Sequence, residues 1–310
     1  MLTSLTQEQQ DQIPRYLKEY ISIGANTAPM DREKAREAVL EMYAHAGFSA
    51  PKRILYCMNP VLAAQAGNEI AKKMDGQGGL NLFSAASCAS GAARFAFLVE
   101  VCGVKIDVEG RRQTLEKFIR SCGSVYPHGE FAIIVDRPSV LKLVDRNGTG
   151  VLHCEDGPAI AWGRDADGNY DPNDKYGYAM FYWNGTRVPA HWIMDKVDGT
   201  DKEKAKARAA EILSESNQEV LRAGCEIVGW VPVLEALGMR VLDENPNPIF
   251  GRLVEVDLPN APNTKFLVAQ CGTGRTIAVL AHAESTSALD AGARSYGVPV
   301  AVYEKLKVRT

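Results

Sequence analysis

Four side chains able to do chemistry stand in a row near the middle of this chain: His153, Cys154, Glu155 and Asp156, followed at once by Gly157 and Pro158. Imidazole and carboxylates are the usual groups for holding a transition metal or moving a proton. Their spacing argues against both. In an extended strand His153 and Glu155 share one face and Cys154 takes the other, so the ring does not activate its neighbouring thiol. Two ligands on one face make no metal site without a third from elsewhere. Asp-Gly-Pro is also what a turn wants: Asp bonds nearby backbone, Gly accepts positive φ, and Pro fixes the exit. The cluster therefore reads as a locked chain reversal with no metal site. An enzyme reading, the alternative, needs His153, Asp156 and Arg187 as catalytic residues converging in a cleft between the central strands and the helices.

Other motifs are incomplete. Asp165, Asp167, Asn169 and Asp171 alternate like a calcium loop, but the sixth position is Tyr170 where glycine belongs and the twelfth is Tyr176 where a bidentate glutamate belongs. Cys271 to Arg275, "CGTGR", lacks the ending of a phosphate-binding loop and reads as a hairpin with a basic tip. G-x-S-x-G, H-E-x-x-H and Walker patterns are missing, so no cofactor is implied. Tyr178, Phe181, Tyr182, Trp183 and Trp192 form an aromatic band in which Tyr182 and Trp183 face opposite ways. One side of that sheet is either covered by helices or offered to a partner. Tyr182, Trp183 and Trp192 are thus the candidate binding residues.

The elements that must position these groups change texture along the chain. Thr6 and Gln9 form a capping box ahead of Ile13, Leu17, Tyr20 and Ile21 at helical spacing. Residues 32–48 place Ala35, Val39, Met42 and Tyr43 on one helix face, with Gly47 as a left-handed cap. Asn59 caps a third helix with Pro60 in its first turn. "RILYCM" before it is a buried strand or a connector. The Ala/Ser/Gly-rich run 80–104 is a buried helix, and "DVEGRRQTLEKFIRSCG" another amphipathic one. From about residue 124, short Val-, Ile-, Tyr- and Trp-rich runs are separated by turn residues, with Asn-Gly at 147 and 184 marking hairpins. "TRVPAHWI" reads as one of those strands, and the polar loop 163–177 as exposed and mobile. Helices return after residue 197, followed by strands and a short helix. The order gives an α+β fold: helical 1–123, an antiparallel β meander 124–196, and helices plus C-terminal antiparallel strands with a short helix in 197–310, in one integrated unit.

Composition narrows the class. With 46% hydrophobic and 24% charged residues over 310 positions, the chain carries a globular core, and its net charge of -3 gives nucleic-acid binding no support. No run is long and apolar enough to span a membrane, and the N-terminus lacks a signal peptide's basic and apolar regions, which points to the cytoplasm. The seven cysteines contain no C-x-x-C pair, so neither a disulfide framework nor a structural zinc is expected.

Three stretches together resemble an uncharacterised bacterial and phage domain-of-unknown-function family. They are the helical start through residue 39, the central "LHCEDGPAIAW" with "YGYAMFYWNGTRVPAHWI", and the C-terminal "VLDENPNPIFGRLVEVDLP" with "CGTGRTIAVLAHAESTSALDAGARSYGV". The central piece carries a His-x-x-Asp-Gly-Pro-Ala signature and is similar to a MORN-like hairpin, except where 163–175 replaces a tight turn. The resemblance implies one unit spanning nearly the whole chain and lends no activity. The resulting expectation is a non-enzymatic interaction or structural module that binds a protein partner or itself.

Overall fold

Thr6 opens the first helix as its spacing predicts. Its side chain accepts from the Gln9 amide while the Gln9 side chain accepts from the Thr6 amide. The computed structural model describes residues 4–75, 81–105, 109–146, 149–197, 201–258, 261–270 and 276–306. The fold is α+β. Contacts group the chain into two units, Met1–Cys154 with Pro158–Met180, and Glu155–Gly157 with Phe181–Thr310.

The first unit runs α1 (Gln7–Gly24), α2 (Arg32–His45), β1 (Arg53–Cys57), α3 (Pro60–Asp75), β2 (Phe83–Ser84), α4 (Ala85–Glu100), α5 (Glu109–Ser121), β3 (Ser124–Pro127), β4 (Phe131–Val135), β5 (Val140–Leu141), β6 (Leu143–Arg146), β7 (Thr149–Leu152), β8 (Ile160–Trp162) and the first half of β9 (Tyr178–Trp183). Gly47 closes α2 at φ +76°, and the Asn59 side chain accepts from the Leu62 amide to cap α3. Alanines at 85, 89, 92, 93 and 96 bury one side of α4 beside Tyr16, Tyr20, Phe118 and Ile119. Small side chains there let α1 come close: a Cβ on Gly24 would stand 3.3 Å from the Ala89 Cβ.

One feature departs from the sequence reading. The stretch 1–123 is not purely helical, because β1 pairs in parallel with β4 and β2 pairs with β3, giving a four-stranded sheet ordered β1-β4-β3-β2. Residues on both sides of position 123 therefore share one sheet, and the contacts draw no line there. The β6–β7 hairpin is present, its Arg146–Thr149 pair bracketing Asn147 and Gly148, which lie outside the described residues.

The second unit takes the rest of β9, then β10 (Thr186–Val188), α6 (Ala190–Met194), α7 (Lys202–Leu213), α8 (Gln218–Val228), α9 (Trp230–Ala236), β11 (Arg240–Glu244), β12 (Arg252–Leu258), β13 (Ala261–Gln270), β14 (Thr276–Leu280), α10 (Ala288–Ser295) and α11 (Val300–Tyr303). "TRVPAHWI" is not one strand. β10 ends at Val188, and Pro189, with φ −59° and no amide to donate to a ladder, starts α6. That turns Trp192 inward. The C-terminal sheet is ordered β11-β12-β13-β14 and antiparallel throughout. Val254 and Phe266 pack with Leu234 of α9, while Leu253 and Leu267 pack with Ala288 and Ala291 of α10.

Candidate functional site

The residues singled out by sequence are divided between the two units. The chain bends at 155–157, as Asp-Gly-Pro predicts. His153 is half-buried in the first unit, its amide donating to the Lys142 carbonyl at 3.2 Å, while Asp156 and Arg187 are exposed and belong to the second. Arg187 is the cross-strand partner of Tyr182. None of the three lines the cavities described below. Among the described residues, no group of three or more His, Cys, Asp or Glu side chains is placed to hold a metal ion.

Of the aromatic candidates, Tyr182 and Trp183 are half-buried on β9, and the Trp183 indole donates to Glu226 at 2.8 Å. Trp192 corrects the expectation of a displayed aromatic. It is 2% exposed, sits in the second unit's core, and donates its Nε1–H to Glu211 at 2.8 Å. Most residues of the loop at 163–177 are exposed, as the sequence predicts. Three of its carboxylates accept from its own backbone: Asp165 from the Asp167 and Asn169 amides, Asp171 from Asn173, and Asp174 from Tyr176 and Arg164. "CGTGR" lies outside the described residues.

Polar chemistry in the first unit is instead buried where β4 ends. Strand β4 is apolar and buried throughout, and two charges follow it directly, Asp136 and Arg137, before Pro138. Both are buried, at 7% and 5% exposure. One Asp136 oxygen accepts from the Met30 and Arg137 amides, and the other from the Arg164 Nε at 3.4 Å. Arg164, nearly as buried, also donates to the carbonyls of Gly168, Thr27, Arg137 and Pro138. It pins the 163–177 loop and the α1–α2 connector to the end of β4. The carboxylate of Asp136 is thereby used up.

Arg137 is served differently. Its Nη1 makes only two long contacts, 3.4 Å each, to the carbonyls of Ala28 and Pro29, and its Nη2 is buried with no hydrogen-bond partner. Buried donors are almost always paired, so an unpaired guanidinium nitrogen calls for a reason. Burial lowers its pKa below the ordinary arginine value, but a guanidinium remains charged at neutral pH. The Asp136 and Asp31 carboxylates favour the Arg137 charge, while the neighbouring Arg164 guanidinium opposes it.

Arg137 lines a cavity of about 200 Å³ whose wall also includes Asn26, Ser84, Ala86, Cys122 and Trp162. The N-terminus of α4 forms part of that wall. Its N-cap Ser84 makes no side-chain hydrogen bond to the first turn, although the Ala85 amide is taken by the Gly123 carbonyl at 2.9 Å. Helix-start amides without a capping side chain favour an anion. Gly123 is required for this closeness, since a Cβ there would lie 2.4 Å from the Asp136 carbonyl oxygen. The Cys122 thiol is no nucleophile: burial pushes it up to about 12, so it is protonated at neutral pH.

Sequence reasoning passed over Asp136, Arg137 and Arg164. The signal was present: "DRP" abuts the uninterrupted run "FAIIV", and charges flush with a fully buried strand have no ready access to water. No family model matches the chain, and no curated protein or solved structure matches it either.

Proposed function

We propose that this protein is a non-enzymatic binding module whose first unit holds a small oxyanion on Arg137 and the start of α4. The observation that carries the reading is the buried, unpartnered Nη2 of an arginine that lines a cavity beside an uncapped helix N-terminus. Binding is favoured over catalysis because the cavity offers no ready proton carrier. Cys122 is protonated, both Asp136 oxygens are engaged, and among the described residues no histidine lines the wall.

Calorimetric titration of the full chain with propionate is expected to show one saturable site. Arg137→Met is expected to weaken it roughly 10- to 100-fold, the worth of one charge-assisted hydrogen bond. Equal affinity in the variant would remove the reading.

A second reading, self-association, is favoured by the C-terminal sheet. Val241, Val254, Phe266 and Leu280 form one cross-strand row. The inner pair is buried and the outer pair, on edge strands β11 and β14, is 49% and 68% exposed. Edge strands with apolar side chains pair readily with a second copy. Light scattering is expected to give a mass that rises with concentration and falls to the monomer in Leu280→Lys; a monomer at every concentration removes this reading.

A further inference from the structure

Among the described residues β1 sits at the end of its sheet, with β4 on one side and no strand on the other. Its ladder to β4 is parallel, so alternate residues of β1 serve that neighbour and the rest face away. The Arg53 amide donates to the Glu130 carbonyl, and the Cys57 carbonyl accepts from the Asp136 amide, which assigns Arg53, Leu55 and Cys57 to β4. The amides and carbonyls of Ile54 and Tyr56 therefore point off the sheet. Among the described residues nothing bonds to them. An open edge of this kind is a template for another extended chain.

Beside the edge runs a groove of about 550 Å³ between β1 and α3. Leu55 of β1 with Ile70 and Met74 of α3 make its apolar part, and Leu55 and Met74 are 37% and 50% exposed. Lys52, Arg53 and Lys73 bring positive charge to the same wall against one carboxylate, Glu130. Lys52 takes that carboxylate at 2.6 Å. Arg53 and Lys73 make no ion pair among the described residues, and both are exposed. Lys73, in the last turn of α3, also suits the helix dipole, but Arg53 lies on a strand and has no such reason to be there. Beyond the wall, Lys72 and Glu69 of α3 cancel in charge. Across the sheet from the groove Arg32 stands over the Tyr56 ring at 5.1 Å, so the second face of the edge carries a cation too.

We propose that this edge docks an extended acidic segment of a partner protein. The segment adds to the sheet beside β1, with an apolar side chain in the groove and carboxylates at Arg53 and Lys73. Charge selects its acidity. The backbone selects a peptide over other polyanions, because outward amides and carbonyls at alternate residues match a second main chain and find no such repeat in a nucleic acid. The site is separate from the Arg137 cavity, with no wall residue in common.

The probe is a labelled peptide in which Glu and Val alternate over the length of β1 and one residue beyond at each end, titrated with the full chain at low salt and followed by fluorescence anisotropy. It is expected to bind saturably, and its Lys-Val counterpart is expected not to bind. Two further peptides carry N-methyl groups on either the Glu amides or the Val amides, since one set faces the sheet and the other faces away. One of them is expected to bind roughly tenfold or more weakly, the worth of two main-chain hydrogen bonds, and the other as the parent does. The double variant Arg53→Gln, Lys73→Gln is expected to cost roughly fivefold and most of the salt dependence. No binding of the acidic peptide, or equal binding of the basic one, would overturn the proposal. So would two methylated peptides that bind alike, because the main chain would then not be read, and so would oligothymidylate binding more tightly than the acidic peptide.

Discussion

Arg164→Met is expected to lower the stability of the first unit by about 3–5 kcal/mol, the cost of stripping one partner from a buried charge pair. The side chain is 9% exposed and faces an Asp136 side chain that is 8% exposed. Its removal leaves that carboxylate without its only cationic bond among the described residues. It also frees the carbonyls of Gly168, Thr27, Arg137 and Pro138, which tie the 163–177 loop and the α1–α2 connector to β4. Arg137→Met serves as the control. That guanidinium makes only long contacts at 3.4 Å and leaves one nitrogen unpaired, so replacing it removes a desolvated charge with little bonding to lose. Its stability is expected within about 1 kcal/mol of the parent. Chemical denaturation of the two variants side by side checks the contrast. Neighbouring arginines with opposite profiles are what a structural post beside a ligand-binding donor produces.

Trp192→Ala is the second large loss, about 3–5 kcal/mol from the second unit. The indole is enclosed by Ile193, Ile212, Ala223 and Cys225. It also rests on Gly224, where a Cβ would come within 2.7 Å of its ring. Trp192→Phe separates volume from hydrogen bonding, because it keeps most of the apolar bulk and deletes only the bond to Glu211. Burial pushes the Glu211 carboxyl up, but bonds from Trp192 and His191 outweigh it and hold the group below its ordinary value. A carboxyl lowered on folding stabilises the fold above its unfolded pKa and loses that contribution as pH falls through the folded value. The deficit of Trp192→Phe is therefore expected to be fullest near neutral pH and to shrink in acid, as thermal unfolding at several pH values would show.

What could be read from sequence was local. The Thr6–Gln9 box, the Gly47 cap and the Asn59 cap each involve residues a few positions apart, so the chain declares them by spacing alone. The reversal at Asp156–Gly157 belongs to the same class. The parallel pairing of β1 with β4 was not legible, because Arg53 and Phe131 are brought together only by what folds between them. Trp192 misled because alternation was carried past Pro189, where the strand stops and a short helix turns the ring inward. The site escaped for a related reason. Asp136, Arg137 and Arg164 form no motif, and their meaning comes from burial: one arginine satisfied on every side, its neighbour left with a donor to spare.

The claim on which the rest depends is that Arg137 keeps a donor for a ligand. It is met most directly by following the side-chain guanidinium resonances of ¹⁵N-labelled protein during a propionate titration, with Arg137→Met and Arg164→Met supplying the assignments. A saturable displacement of the Arg137 signal, with that of Arg164 nearly still, is the predicted result. An Arg137 signal that stays in place up to high propionate would contradict it.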